Sequence, residues 1–330
     1  MSKVLCFGEI LLRFSPTTSK IDFKNTSIPV FIGGAELNVA HALAKWNIPT
    51  AYCTAMPQNF ISDNILEYLA AKNIDATPIH FSGNRLGIYY LAQGADVKSS
   101  GIVFDRAHSS FADLKVGMID WEEIFKDVSW FHFSAIAASL TKTAADVCLE
   151  ALQVASSMGI TISLDLNYRD KLWKYEYQPE DIMPKLCSYC NVIMGNMWSV
   201  EKLLDIPSPI ENSAGKTVDE LRAASNQSIQ QLREEYPNLA TVAYTLRLGN
   251  TYTALWNDST GSYYSKVHQI SDAVDRVGSG DCFMGAVIYS MINNLTAQEA
   301  INYSTAAAVA KLYEKGDVTN KTIEEVRALI

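Results

Sequence analysis

Three short stretches of this chain concentrate residues able to do chemistry. The first is Asp275-Arg276-Val277-Gly278-Ser279-Gly280-Asp281, which opens onto an apolar run over 282–291 with helical character. Glycines at the entrance of a helix leave backbone N–H groups uncovered and pointing outward. The helix dipole adds about half a positive charge at that end. Together these make an anion site suited to a phosphate. Asp281 is then either a general base beside the anion or a carboxylate that only complements the dipole, and Ser279 reads locally as an N-cap. No GxxxxGK[ST] stretch occurs, so this is not a Walker A loop.

The second stretch is Gly33-Gly34-Ala35-Glu36-Leu37-Asn38-Val39-Ala40. Paired glycines before a helix let the backbone approach a ligand and give a hinge to whatever lies above. Its plainer reading is a turn, with Glu36 stabilising the first helical turn. The third runs over 164–173, Leu-Asp-Leu-Asn-Tyr-Arg-Asp-Lys-Leu-Trp. A buried strand ending in Asp, Asn and Arg puts polar groups at one edge of a sheet. Arg169 there either grips a carboxylate or phosphate through its two-pronged guanidinium or pairs with Asp165 or Asp170.

The elements that must position these stretches alternate. Strands are expected over 4–7, 130–134, 160–165, 191–194 and 239–245, and a hairpin over 252–256 and 263–267. Helices are expected over 35–46, 143–158 and 196–205, with two more starting at 279 and 296 to close the chain. This order predicts an α/β fold, a doubly wound, mostly parallel sheet flanked by helices. Ligands in such folds sit beyond the carboxyl ends of the strands. Segments 14–32 and 86–106 break the rhythm, being β-prone with turn signals. They are expected to pair, 14 to 30 and 87 to 104, as a small antiparallel β-sheet lid. No repeat or linker divides the chain, so residues 1–330 are expected to form a single domain.

Composition narrows the function. With 330 residues, 48% of them apolar, the chain has ample material for a core, and collagen-like or disordered classes are excluded. The balance of 27 basic against 36 acidic residues, net −9, disfavours nucleic acid, which requires clustered Lys and Arg. Six scattered cysteines fit a reducing compartment. Cys187 and Cys190 form a CxxC without a second ligand pair and are expected to pack, not to bind zinc. His41, His80, His108, His132 and His268 show no paired ligand spacing. The N-terminal apolar run carries Glu9 and no small-residue cleavage site, and no stretch reaches the ~18 apolar residues of a membrane span. A cytoplasmic protein with no membrane partner is expected.

The glycine pair near the start and Asp-Arg-Val-Gly-Ser-Gly-Asp near the end together resemble the two signatures of the PfkB (ribokinase-like) carbohydrate kinases, in the family's order and over nearly the whole chain. Within that family GGAELNVA, Gly87-Ile88-Tyr89 and DLNYRDKLW are similar to the 2-keto-3-deoxygluconate kinases. The resemblance implies a ribokinase-like fold and, with ATP and Mg²⁺, phosphorylation of the 6-hydroxyl of 2-keto-3-deoxy-D-gluconate, giving the 6-phosphate and ADP. It implies Asp281 as catalytic base and Gly278, Ser279 and Gly280 as the anion hole. Gly34, Asn38 and Tyr89 match sugar contacts, and Asp317 a late substrate contact. Arg106 and Arg169 match the arginines that meet the acid sugar and the transferring phosphoryl group. Asn196 and Thr245 match nucleotide-side positions, together with Gly278 and Gly280.

Several positions depart from the family's pattern. Arg276 replaces the usual Thr or Pro, Ser279 the middle Ala, Phe104 a common lid Tyr, and Thr305 an adenine-side Asn. The metal-linked Asn-x-x-Glu reads Asn196-Met197-Trp198-Ser199, and nearby Glu201 is a poor substitute from another helix face. Two alternatives stand beside the acid-sugar kinase. One is a kinase of a neutral sugar such as fructose, tagatose or ribose, opposed by Arg106 and Arg169. The other is a non-catalytic sugar sensor, opposed by the intact Gly-Ser-Gly-Asp. An exposed lid carrying Phe23, Ile28, Val30 and Phe31 implies a homo-oligomer, at least a dimer.

Overall fold

The computed structural model describes residues 3–18, 27–93 and 101–330. Its main sheet runs, from one edge, Ile74–Asp75, Thr50–Cys53, Lys3–Phe7, Val128–Ser134, Thr161–Asp165, Val192–Gly195 and Thr241–Leu248, all parallel. Thr251–Asp258 and Gly261–Tyr264 then add antiparallel to finish the other edge. Side chains alternate across each strand. In Lys3–Phe7, Leu5 and Phe7 enter one apolar core, Val4 and Cys6 the other. Burial on both faces explains why the parallel strands read as unbroken apolar runs.

Helices Ala35–Lys45, Ser279–Ile292 and Ala297–Lys311 cover one face. Lys142–Ser157, Pro179–Cys187, Met197–Leu204 and Val218–Glu235 cover the other. Ser279–Ile292 is buried almost all round, between its two neighbours on that face, which is why it is apolar on every side. Val218–Glu235 was not expected, because its surface is largely polar. Its start was nonetheless written in Thr217 and Glu220, which form a reciprocal capping box. A final short helix, Ile323–Arg327, also follows the two expected to close the chain. Among the described residues no helix is long and apolar enough to cross a membrane.

The lid is a second sheet ordered Val30–Gly33, Leu11–Phe14, Gly87–Tyr90, Val103–Asp105. Phe14 pairs with Val30 as expected, and the two outer pairings are antiparallel. The central pairing of Leu11–Phe14 with Gly87–Tyr90 is parallel, correcting the all-antiparallel expectation, and the first lid strand begins at Leu11. The physical reason is the connection. More than seventy residues, including two helices, separate these strands, and a long crossover returns the chain in the same direction. Phe23 lies outside the described residues.

Candidate active site

The lid and the carboxyl edge of the main sheet enclose a cavity of about 850 Å³. All three chemistry-bearing stretches reach it. Gly278 sits just before helix Ser279–Ile292 with φ 78, and a Cβ there would lie 1.8 Å from the carbonyl oxygen of Asp317. Only glycine fits this position. Gly278 is therefore the N-cap, and no side chain caps the helix. The first-turn amides, which have no acceptor inside the helix, keep their donor capacity beside the cavity.

Ser279 is the first helical residue, not the N-cap its sequence context suggested. Its hydroxyl donates to the Ala308 carbonyl at 3.0 Å, and the side chain is fully buried. Whatever Ser279 offers an anion comes from its backbone amide alone.

Asp281 lies one turn into the helix at the cavity wall. Asn38 Nδ2 donates to its Oδ2 at 2.7 Å. Burial pushes Asp281 up from the ordinary carboxylate value to about 6, opposed by the Asn38 bond and the positive charge of Arg169. Gly34 precedes the helix that carries Asn38, with φ 141 and no room for a Cβ, which would meet the Glu9 carbonyl oxygen at 2.5 Å.

Two more buried acids line the same cavity. Glu36 accepts from the Ser134 amide at 3.1 Å and from its hydroxyl at 2.5 Å. It thus joins a first-turn position to the end of a strand, a larger role than complementing a dipole. Asp165 ends its own strand, with Oδ1 accepting from the Asn167 amide at 3.0 Å. Burial raises both carboxyls to about 7. Arg169 donates to the Tyr168 carbonyl at 3.0 Å, and its charge acts on Asp165 as on Asp281.

On the lid side the structure pairs residues that the sequence left separate. Tyr89 donates from its hydroxyl to Asp317 Oδ2 at 2.9 Å. Arg13, fully buried, forks onto Asp275 at 2.8 and 3.3 Å, and its Nε lies 2.9 Å from Asp317 Oδ1. Arg106 donates from Nε to Glu9 at 2.5 Å, and Ser109 donates to the same carboxylate. Sequence reasoning singled out neither Arg13 nor Glu9 for the site. The one available signal was charge inside otherwise apolar strand-like runs, which calls for a buried partner. Phe104 packs on Tyr89 with ring centroids 6.1 Å apart.

Asn196 and Thr245 also border the cavity, as do Arg276, Arg247 and Lys202. Asn196 is the N-cap of Met197–Leu204: it accepts from the Ser199 amide at 3.0 Å while Ser199 Oγ accepts from the Asn196 amide at 3.0 Å. The residue replacing the usual Glu has become a local cap. Glu201 is not part of the wall; it accepts from the Ser208 amide at 3.3 Å. Thr305 is buried, with its hydroxyl on the Ile301 carbonyl, and does not reach the cavity. Cys187 and Cys190 are buried free thiols. Among the described residues no cluster of His, Cys, Asp and Glu could cage a metal ion.

In fold, the 2-dehydro-3-deoxygluconokinase of Thermotoga maritima matches with a TM-score of 0.89 and 34% identity, over 100% of this chain and 99% of that one. In sequence, a 2-dehydro-3-deoxygalactonokinase of Haloferax volcanii is 24% identical over 100% of this chain and 96% of its own length. A probable fructokinase of Arabidopsis thaliana is 25% identical over 90% of this chain and 79% of its own. The model of the pfkB family carbohydrate kinases matches residues 1–323, a span that takes in the lid, Asp281 and Asp317. This chain belongs to the pfkB family of carbohydrate kinases and is a sugar kinase.

Proposed function

We propose that the sugar is a 2-keto-3-deoxy acid, 2-keto-3-deoxy-D-gluconate, phosphorylated at its 6-hydroxyl with ATP as donor. The observation that carries this reading is the convergence of Asp281, Arg169 and Arg106 on one cavity beside an uncapped helix N-terminus. Asp281 accepts the hydroxyl proton as the oxygen attacks the γ-phosphorus. Asn38 holds that carboxylate in place and keeps it ionised. The amides at 278–281 stabilise charge growing on the phosphoryl oxygens. Positioning and electrostatics of this kind carry most of phosphoryl transfer. Closure of the lid excludes water, the competing acceptor.

Asn196, Thr245 and the cations Lys202, Arg247 and Arg276 form the nucleotide side. Among the described residues no cluster of carboxylates or imidazoles lies there, so magnesium would be held largely through phosphates and water and would neutralise phosphate charge. Arg169 serves the phosphoryl group as well as the sugar's carboxylate. Gly34, Tyr89 and Asp317 bind the sugar's other end.

A neutral-sugar kinase is the second reading, and one observation favours it: Glu9 already neutralises Arg106. In the acid-sugar reading the Arg106 guanidinium still donates charge-assisted hydrogen bonds to the substrate carboxylate, although the Glu9–Arg106 pair as a whole is neutral. An ADP-release assay over a panel of 2-keto-3-deoxy acids, fructose, tagatose and ribose tests the assignment. Absence of turnover with every sugar would leave the sensor reading in its place. The same reading takes the protein as cytoplasmic and as at least a dimer joined through its lids, the latter because Val30 and Val103 on the two lid edges are 49% and 57% exposed.

A further inference from the structure

Lys311 ends helix Ala297–Lys311 and is fully buried. Its Nζ donates to the Glu314 carbonyl at 3.1 Å, and it forms no carboxylate ion pair among the described residues. An ammonium in such a place persists only if its surroundings compensate for lost water. Burial lowers the Lys311 ammonium from its ordinary value, and Asp275, Glu314 and Asp317 oppose that with negative charge, the Cys282 thiol also facing it. The helix C-terminus adds to the compensation.

What Lys311 touches leads directly to the anion hole. Its helix receives the Ser279 hydroxyl at Ala308 and the Cys282 thiol at Ala307. The carbonyl it holds belongs to the turn over 312–317. In that turn the Gly316 amide donates to Asp275 at 3.2 Å, and the Asp317 carbonyl lies against Gly278. Asp281 is faced by Glu36 and Asn38 from the helix after the glycine pair, by Asp165 and Arg169 from the sheet edge, and by Asp317 and Lys311 from this turn. Lys311 lowers the carboxyl of Asp281, as Arg169 does.

We propose that Lys311 is a positioning residue for phosphoryl transfer. Its buried ammonium pins the 312–317 turn beneath the anion hole and adds an internal positive charge that, with Asn38 and Arg169, favours the ionised form of Asp281. The proposal rests on the reading of Asp281 as the base.

Lys311→Met keeps length and flexibility while removing the charge. It is expected to lower kcat by about tenfold and to move the acid limb of the kcat/KM profile to higher pH, so that the loss grows as pH falls. Lys311→Ala is expected to regain activity with added methylammonium and not with methanol, which a purely structural role would not produce. A Lys311→Met profile superimposable on that of the wild type would overturn the proposal, as would equal rescue by both solutes or rescue by neither. If neither variant folds, the wild type labelled with [ε-¹³C]lysine decides by NMR: Lys311 charged throughout the active pH range supports the proposal, and Lys311 neutral there refutes it. Asp281→Asn separates the two readings. If that variant retains turnover, the base assignment has failed; if it is inactive while Lys311→Met behaves as wild type, only the role of Lys311 has failed.

Discussion

Asn38 and Asp281 lie 243 residues apart and meet through a 2.7 Å hydrogen bond from Nδ2 to Oδ2. The bond ties the helix after the first glycine pair to the entrance of the helix after the second. It favours the ionised carboxylate against burial. The Asn38 amide oxygen is buried with no partner among the described residues, at a residue that lines the cavity.

The pH dependence follows from this pair. Asp281 must be ionised to accept a proton, and its carboxyl stands at about 6. The ratio kcat/KM should therefore fall as pH drops through that value and level off only above about 7, where the neighbouring Glu36 and Asp165 are ionised too. Asn38→Ala removes a contact that lowers the carboxyl, so its acid limb should move to higher pH. A wild-type limb in the ordinary carboxylate range, with no shift in the variant, would contradict the assignment.

Asp281→Asn should retain the fold and ATP binding and lose about 10²–10⁴-fold in kcat, the scale of general-base removal. Single-turnover ADP release, alongside a thermal melt, checks this. Near-normal turnover would mean that proton transfer is handled elsewhere.

Arg106→Ala should raise KM for the acid sugar by about 10–100-fold, as loss of a charge-assisted hydrogen bond of about 1.5–3 kcal/mol implies. Fructose should be affected much less. The variant also leaves Glu9 buried without its cation, and breaking a buried pair costs about 3–5 kcal/mol, so the melting temperature should fall. Equal losses for both sugars would show that Arg106 serves the lid and not the carboxylate.

The lid edges offer a test of assembly. Light scattering at micromolar concentration should give at least a dimeric mass, and Val30→Glu should lower it. A monomeric wild type would remove the lid interface from the account.

What was legible in advance was local. The glycines and Asp281 announce themselves because a helix entrance is a contiguous stretch of chain, and the βαβ alternation is written in apolar periodicity. Ser279 misled because an N-cap serine and a first-turn serine look alike until the φ of Gly278 is known. The pairs Glu9–Arg106 and Arg13–Asp275 join residues 97 and 262 positions apart, and no spacing rule connects them. The parallel lid pairing was hidden for the same reason, since register across a long crossover is a tertiary property. Helix Val218–Glu235 was missed although Thr217 and Glu220 spelled out its cap, because a mostly polar surface masks helical periodicity.

The central claim is the acid sugar, and the ratio of kcat/KM for 2-keto-3-deoxy-D-gluconate to that for fructose in the wild-type enzyme tests it most directly. With Arg106 and Arg169 both at the cavity wall, each charge-assisted contact adding about tenfold or more, the acid should be preferred by about 10²-fold or more. A wild type that prefers fructose would contradict the acid-sugar assignment and leave a neutral-sugar kinase of the same family.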